Sequence, residues 1–324
     1  MHKSWLQQVR HRAEYFVFRL VVCIVQAFSP SQCAYFARLL AAFIHQGLPR
    51  RWTRYGVARE NLRIAFGDDL TDAAADRLIF RMWVHLFQLV GEVILLPRKV
   101  KLCNIVEAVQ FRNKAQALRG LCSERPVLLL SGHVGNWEMA ISIFGQFGFH
   151  MGLVARALDN PYLDRWFFNF RKYTGHRPIP KKGGFDVMAE LMNRGGALAL
   201  LADQDAGSRG EFVSFFGKPA STHKSIALLA IEYEALICVG YARRLEHDRL
   251  PNGWPRYEVG CEEIIDPLDH TTGDAVHEIT QRFTAALERV IRIAPEQYFW
   301  VHRRWKSTPQ SRSERRAAQR RKAG

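Results

Sequence analysis

The sequence predicts an α/β protein: a mainly parallel central sheet covered by helices on both faces, with an N-terminal apolar helical region that associates with a membrane. Three observations predict it. Short apolar runs such as VLLL and ALALLA alternate with helical-period segments from Pro126 onward. Polar and glycine-bearing stretches follow one run after another, as they do at the carboxyl edge of an open parallel sheet. The first 48 residues hold two apolar helical segments with basic residues at both ends.

Composition sets the outer limits. A chain of 324 residues with 48% hydrophobic content can bury the core of one large domain. A net charge of +15 implies an anionic partner: nucleic acid, an anionic membrane surface or an acidic protein. The 6 cysteines are scattered without a C-x-x-C pair. They are expected to be reduced, mostly buried thiols in a protein facing the cytosol. No H-E-x-x-H and no cysteine–histidine grouping occurs, so no metal site is expected.

The N-terminal region comes first. Residues 16–28 are apolar except for Arg19 and Gln26 and stop at Ser29-Pro30, short of the ~20 residues a spanning helix needs. A second segment, 34–44, carries only Arg38 as a charge. With Lys3, Arg10 and Arg12 before and Arg50, Arg51 and Arg54 after, residues 1–48 read as an interfacial or hairpin-like anchor. A single span with that basic end inside would place the rest of the chain outside, against the cysteine reading. The expected place is the cytoplasmic face of the cell inner membrane.

Residues 49–306 form the main domain. Helices are expected at 53–66 and 71–95, the second capped at Thr71-Asp72, carrying Leu78, Met82, Leu86, Leu89 and Val93 inward, and stopped by Pro97. A short helix at 114–118 leads to a strand beginning near Pro126. Then follow a strand at 149–155, a helix at 161–173 with Leu163, Trp166, Phe167 and Phe170 on its apolar face, a helix at 185–192 and a strand at 197–202. A long loop holds Gly207, Gly210 and Gly217; beyond it lie a helix at 224–233, strands at 236–241 and 257–259, and a helix at 275–293. Residues 307–324 set Arg312, Arg315, Arg316, Arg320, Arg321 and Lys322 against a single acid, Glu314. They are expected to be a disordered tail drawn to anionic lipid or an acidic protein. Without aromatic interleaving, a nucleic-acid partner is not favoured.

The stretch PVLLLSGHVGNWEMA, 126–140, concentrates the chemistry. It reads as a buried strand, a glycine turn and a helix capped by Asn136. Five residues of regular helix turn through about 500°, so His133 and Glu138 meet only if the histidine sits in the turn and the glutamate in the first helical turn. Gly132 and Gly135 permit that bend, and a carboxylate is favoured at a helix N-terminus. A turn histidine beside a dipole-stabilising glutamate would leave the same pattern. Two further strand ends carry polar residues, Arg156 and then Asp203 with Asp205. In a parallel sheet these join one edge, where a base, a cation and carboxylates surround one cleft. No G-x-S-x-G is present, and the glycines around 132–135 lack the third glycine and acidic partner of a dinucleotide fingerprint.

Four blocks carry a resemblance: SGHVGNWE; ARALDNPYLDRW with KYTGHRPIPKKG; LLADQDAG with FFGKPASTHKS; and PEQYFWVHRRWK near the C-terminus. In that order, from about Trp52 through Lys306, the chain resembles the bacterial lipid A biosynthesis late acyltransferases. The resemblance implies a membrane-bound O-acyltransferase that moves a fatty acyl chain from acyl carrier protein, or acyl-CoA, to a hydroxyl of a glycolipid, without a cofactor. It implies that His133 and Glu138 are catalytic and carries Arg156, Asp203 and Asp205 over as site residues; Asn136 joins them as a substrate contact. Arg19 departs from the family by interrupting the apolar N-terminal run. Acyl transfer to an alcohol needs a base and oxyanion donors. His133 suits the base, Glu138 the acid that orients it, and backbone N–H groups after Gly135 the donors. Arg156 is expected to hold an anionic group. A glycerophospholipid or phosphatidylinositol mannoside acceptor is the alternative within this chemistry.

Overall fold

The computed structural model describes residues 5–270 and 273–309; nearly all of the expected basic tail lies outside the described residues. Helices α1 (Trp5–Ala27) and α2 (Pro30–Ala42) form the N-terminal region, followed by a π-helical turn at Phe43–Gly47. Pro30 starts α2 rather than separating the apolar runs: it occupies the first helical turn, and Ser29 and Gln32 close a capping box in front of it. Helices α3 (Tyr55–Phe66) and α4 (Asp72–Lys99) follow. Pro97 lies inside the last turn of α4 instead of ending it, and Val100 N–H closes on the Leu96 carbonyl.

The α/β body runs α5 (Ile105–Ala108), β1 (Val109–Arg112), α6 (Lys114–Leu121), β2 (Val127–Ser131), α7 (Trp137–Gln146), β3 (Gly152–Ala155), α8 (Pro161–Lys172), β4 (Arg177–Pro180), α9 (Phe185–Asn193), β5 (Ala197–Leu201), β6 (Glu211–Phe215), β7 (Lys218–Thr222), α10 (Ser225–Glu232), β8 (Leu236–Arg249), β9 (Pro255–Ile265) and α11 (Ala275–Ile293). The sheet order is β1-β9-β8-β2-β5-β3-β4, parallel throughout except for the β8/β9 pair. The expected mainly parallel sheet is present, and both faces are covered. Leu128, Leu130, Leu198 and Ile237 pack with Ile226, Ile279 and Phe283 from α10 and α11. On the other face Leu129, Leu153 and Ala199 meet Ile141 and Phe144 of α7.

Four strands, β1, β4, β6 and β7, escaped the pattern for physical reasons. β1 is a sheet edge with an exposed run of residues, and β4 carries Pro178 and Pro180, which an edge strand tolerates because its outward N–H groups need no partner. The expected loop around Gly217 is an antiparallel hairpin, β6–β7, turned at Phe216 (φ 52°) and Gly217 (φ 72°), the paired positive φ values of a tight hairpin. β8 continues past Tyr241 into RRLEHDR because its charges find partners across the strand pair: Arg243 Nε lies 2.9 Å from Glu258 of β9. Of the cysteines only Cys238 and Cys261 are buried; Cys23, Cys103 and Cys122 are exposed, which corrects the expectation of mostly buried thiols.

α1 docks on the body through its polar side. Asn160, ahead of α8, donates to the His11 carbonyl (2.9 Å) and to Glu14 (2.8 Å), and Phe18 meets the edge of Trp166 at 5.0 Å. Phe16, Leu20 and Ile24, and Val17 and Val21 beside them, remain exposed at helical spacing, as do Tyr35, Phe36, Leu39 and Leu40 on α2. Among the described helices α4 alone is long and apolar enough to cross a bilayer, yet it packs Ile79, Met82, Leu89 and Leu95 into the core.

Candidate active site

β2 and β5 are parallel neighbours with Ser131 opposite Leu201. Both chains run two residues further, and that register brings His133 beside Asp203. His133 Nδ1 lies 2.8 Å from Asp203 Oδ1, and the His133 backbone N–H donates to Oδ2 at 3.0 Å. Burial first, then the charge of this carboxylate, push the Tyr298 hydroxyl pKa well above its ordinary value. A Cβ at position 132 would sit 3.2 Å from the Asp203 Cβ, so glycine permits the close approach. Burial disfavours the His133 imidazolium, but attraction to Asp203, with a smaller share from Glu138, outweighs it and holds the pKa above the ordinary histidine value. Burial also raises Asp203, and the His133 charge and hydrogen bonds reverse this, so Asp203 stays below its usual value.

Glu138 is not the acid on His133, which corrects the expectation. It lies in the first turn of α7, as foreseen, but its carboxylate is taken by Arg171 of α8 at 2.5 and 3.2 Å. A guanidinium offers a two-pronged match that neutral Nδ1 does not, and Asp203 already fills Nδ1. Arg171 was missed, although Leu163, Phe167 and Arg171 stand four apart. An arginine that continues an apolar stripe is a signal that it meets a buried partner.

Asn136 is the α7 cap: its Oδ1 accepts from Met139 N–H at 3.0 Å. Its side-chain nitrogen donates to Glu92 (2.9 Å) and Tyr257 (3.3 Å), and the residue is 1% exposed. It faces the core, so a substrate contact is corrected to a structural one. Behind the cap, Arg244 donates to Glu92 at 2.6 and 2.9 Å, and the Tyr257 hydroxyl closes on Glu92 as well. Arg244 also approaches His85 Nδ1 at 3.1 Å, while His85 Nε2 lies 3.1 Å from the Gly135 carbonyl. A guanidinium can only donate, so Nδ1 accepts and Nε2–H donates. Burial first and Arg244 second hold the His85 pKa well below its ordinary value, consistent with that neutral tautomer.

The C-terminal block explains its own presence. Gly135 N–H donates to the Gln297 carbonyl (2.9 Å), Phe299 N–H to the His133 carbonyl (3.0 Å), and the Gln297 side chain bridges Arg244 N–H and C=O at 2.9 Å each. Asn136 N–H goes to the Ala242 carbonyl of β8 at 2.8 Å. Trp137 and Glu138 N–H remain as the free donors of this helix start among the described residues. Asp205 accepts from Ser307 Oγ (3.0 Å), Ser307 N–H (3.3 Å) and Gly207 N–H (3.2 Å); it fastens this block and does not face the cavity, which corrects its expected substrate contact.

His133 and Glu138 open onto a cavity of about 900 Å³. Leu129, Ile141, Phe144, Met151 and Phe167 line its apolar part, and Arg156 stands at its mouth, largely exposed and 3.7 Å from Asp159. Trp137 and Phe299 flank the His133 ring at 5.0 and 6.0 Å. With Nδ1 occupied by Asp203, Nε2 is the free proton acceptor.

Fold and site together define an α/β protein in which a histidine, oriented by a buried carboxylate, is set at the wall of a large, mainly apolar cavity. Residues 2–307 match the family model described as bacterial lipid A biosynthesis acyltransferase, and the chain belongs to that family. It is similar to the phosphatidylinositol mannoside acyltransferase of Mycobacterium tuberculosis H37Rv, 28% identical over 177 residues that cover 53% of this chain and 52% of that protein. It is also similar to the lipid A biosynthesis lauroyltransferase of Escherichia coli K12, 28% identical over 193 residues and 58% of each chain. The chain thus spans about half the length of the curated relatives it matches. The crystal structure of the 1-acyl-sn-glycerophosphate acyltransferase PlsC from Thermotoga maritima aligns with 79% of this chain and 98% of its own, at 12% identity and a TM-score of 0.36.

Proposed function

We propose that the chain is a membrane-associated O-acyltransferase that moves a fatty acyl group from a thioester, carried by acyl carrier protein or CoA, to a hydroxyl of a lipid A precursor. The observation that carries this is the His133–Asp203 pair at the wall of the large apolar cavity. The cavity holds the acyl chain, whose burial is worth about 0.8 kcal/mol per methylene. Nε2 of His133 removes the acceptor hydroxyl proton as that oxygen attacks the thioester carbonyl. Asp203 holds the tautomer and stabilises the imidazolium, with the Glu138–Arg171 pair next to it. Trp137 and Glu138 N–H, at the positive end of α7, face the developing oxyanion. Collapse of the tetrahedral intermediate breaks the C–S bond, and the thiolate leaves with the proton held on Nε2. No acyl-enzyme is needed.

The exposed apolar sides of α1 and α2, with Arg10, Arg12 and Arg38 among them, support seating on the cytoplasmic face of the inner membrane. A second acceptor class is supported by similarity to the phosphatidylinositol mannoside acyltransferases, as close in identity as the lauroyltransferase. The test is incubation of the purified protein with acyl-carrier-protein and acyl-CoA donors and either a lipid A precursor or a phosphatidylinositol mannoside, with products identified by mass. An acylated lipid A precursor is expected. Acylation of the mannoside alone moves the acceptor to that class, and no acylated lipid from any pairing overturns the reading.

A further inference from the structure

β3 and β4 pair in parallel with Ala155 opposite Pro180, and Lys181 N–H donates to the Ala155 carbonyl at 2.9 Å. Arg156 and Lys181 therefore leave adjacent strands at the same level, on the carboxyl edge of the sheet. His223 lies between the end of β7 and α10, near enough to Lys181 to feel its charge. All three line the cavity that His133 opens onto.

The charge around them is unbalanced. Arg156 has Asp159 at 3.7 Å, a pair in which both side chains are more than four-fifths exposed and which is worth little in water. Among the described residues Lys181 makes no ion pair and the His223 imidazole has no hydrogen-bond partner. Asp164, which also lines the cavity, is engaged by Leu158 N–H at 2.8 Å, and Glu138 is neutralised by Arg171. Burial first, then the nearby charges of Lys181 and Arg304, outweigh the opposing pull of Asp205 and hold the His223 pKa below its ordinary value. An uncompensated lysine and a neutral imidazole pressed towards it are the arrangement an anion relieves. The loop that carries His223 is not free to move away: the buried Arg304 guanidinium donates to the Ser221 carbonyl (2.5 Å) and to Thr222 Oγ1 (2.6 Å) just before it.

Resting on the acyltransferase reading, we propose that Arg156, Lys181 and His223 form a phosphate-binding subsite at the cavity mouth, which holds a phosphate of one substrate while its reacting group meets His133. The Arg156 fork and the Lys181 point charge supply two kinds of charge-assisted donor. His223 supplies a third donor once the anion has favoured its protonated form. Two substrates carry such a group: the phosphodiester of the donor's pantetheine arm and a headgroup phosphate of the acceptor lipid.

Binding is tested first without turnover. The full chain in detergent is titrated with inorganic phosphate while the His223 ring-proton resonance, assigned by its loss in His223→Gln, is followed. A saturable shift with a rise in the His223 pKa is expected, and affinity about tenfold or more weaker in Arg156→Gln/Lys181→Gln, as expected for lost charge-assisted bonds. No saturable shift, or an unchanged affinity in the double variant, overturns the subsite. This result is independent of acyl transfer: phosphate binding without any acylation would sink the enzymatic reading alone, and acylation without phosphate binding would sink the subsite alone. Steady-state kinetics then identify the source. Each substrate is compared with a phosphate-free analogue, acyl-N-acetylcysteamine for the donor and a dephosphorylated lipid for the acceptor. In the double variant KM is expected to rise about tenfold for the substrate whose phosphate is held, with a much smaller rise for its phosphate-free analogue and the loss falling on KM rather than kcat. Equal changes for phosphate-bearing and phosphate-free forms of both substrates overturn the proposal.

Discussion

Glu92→Leu should destabilise the protein more than almost any other single change, and the structure shows why. Arg244 and Glu92 are both at least nine-tenths buried, joined by bonds of 2.6 and 2.9 Å. Removing the carboxylate leaves a guanidinium in the core without its charged partner, beside the neutral His85 Nδ1 at 3.1 Å, and also strips a partner from Asn136 and Tyr257. Breaking a buried pair from one side costs about 3–5 kcal/mol, a large part of the roughly 5–15 kcal/mol that holds a typical domain folded. The assay is equilibrium unfolding in urea, read as a fall in midpoint at constant slope. Arg244→Leu added to Glu92→Leu removes the orphaned charge and should recover part of the loss, as a coupling energy of about 2 kcal/mol or more. A single-variant loss under about 1 kcal/mol, or a double variant as unstable as the sum of the singles, would refute a desolvated ion pair behind the α7 cap.

Three further outcomes follow from the same geometry. Gly135→Ala places a Cβ 2.0 Å from the Ala242 carbonyl oxygen at φ +61°, so it should cost more than about 1–3 kcal/mol and abolish acyl transfer; Gly148→Ala, with φ +89° and open space around it, should show the backbone cost alone, and equal losses in the two would refute the close approach. The folded-state pKa of His85 lies below its unfolded value, so its contribution is complete above pH ~6.5 and is lost as pH falls below that, by up to about 1.4 kcal/mol per pH unit. His85→Gln should flatten this acid-side slope in urea midpoints measured from pH 7 to pH 5, and an unchanged slope would count against a buried neutral His85. Leu20→Asp with Ile24→Asp, both on the exposed side of α1, should cut sedimentation with anionic vesicles by tenfold or more while stability moves by only about 0.5 kcal/mol; unchanged sedimentation would remove α1 from the membrane contact.

The strand–turn–helix around His133 was legible because its parts are local: an apolar run, two glycines and a capping asparagine. Asp203 was legible as a strand-end residue, but its partnership with His133 depends on β2 and β5 being neighbours in one register, and strand order leaves no trace in a single chain. Glu138 therefore looked like the orienting acid on proximity in sequence, whereas the sheet brought a carboxylate from 70 residues away. The N–H donors after Gly135 narrowed to Trp137 and Glu138 for the same reason: Ala242, distant in sequence, takes the Asn136 N–H. Glu92 left a signal, a lone carboxylate in the run LVGEVILL, while Arg244 was hidden among the charges of RRLEHDR. The PEQYFWVHRRWK block was recognisable as a motif, yet its work as a brace under His133 and Arg244 became visible only with the fold.

The most direct test of His133 as a base oriented by Asp203 is the pH dependence of kcat/KM for acyl transfer by the wild type and by Asp203→Asn. Asp203 holds the imidazole pKa above its ordinary value, so the neutral, proton-accepting form grows as pH rises through that pKa. Removing the carboxylate charge is predicted to move the acid limb to lower pH and to lower the plateau by about 10²–10⁴. An acid limb left in place, with the plateau at the wild-type level, would contradict it.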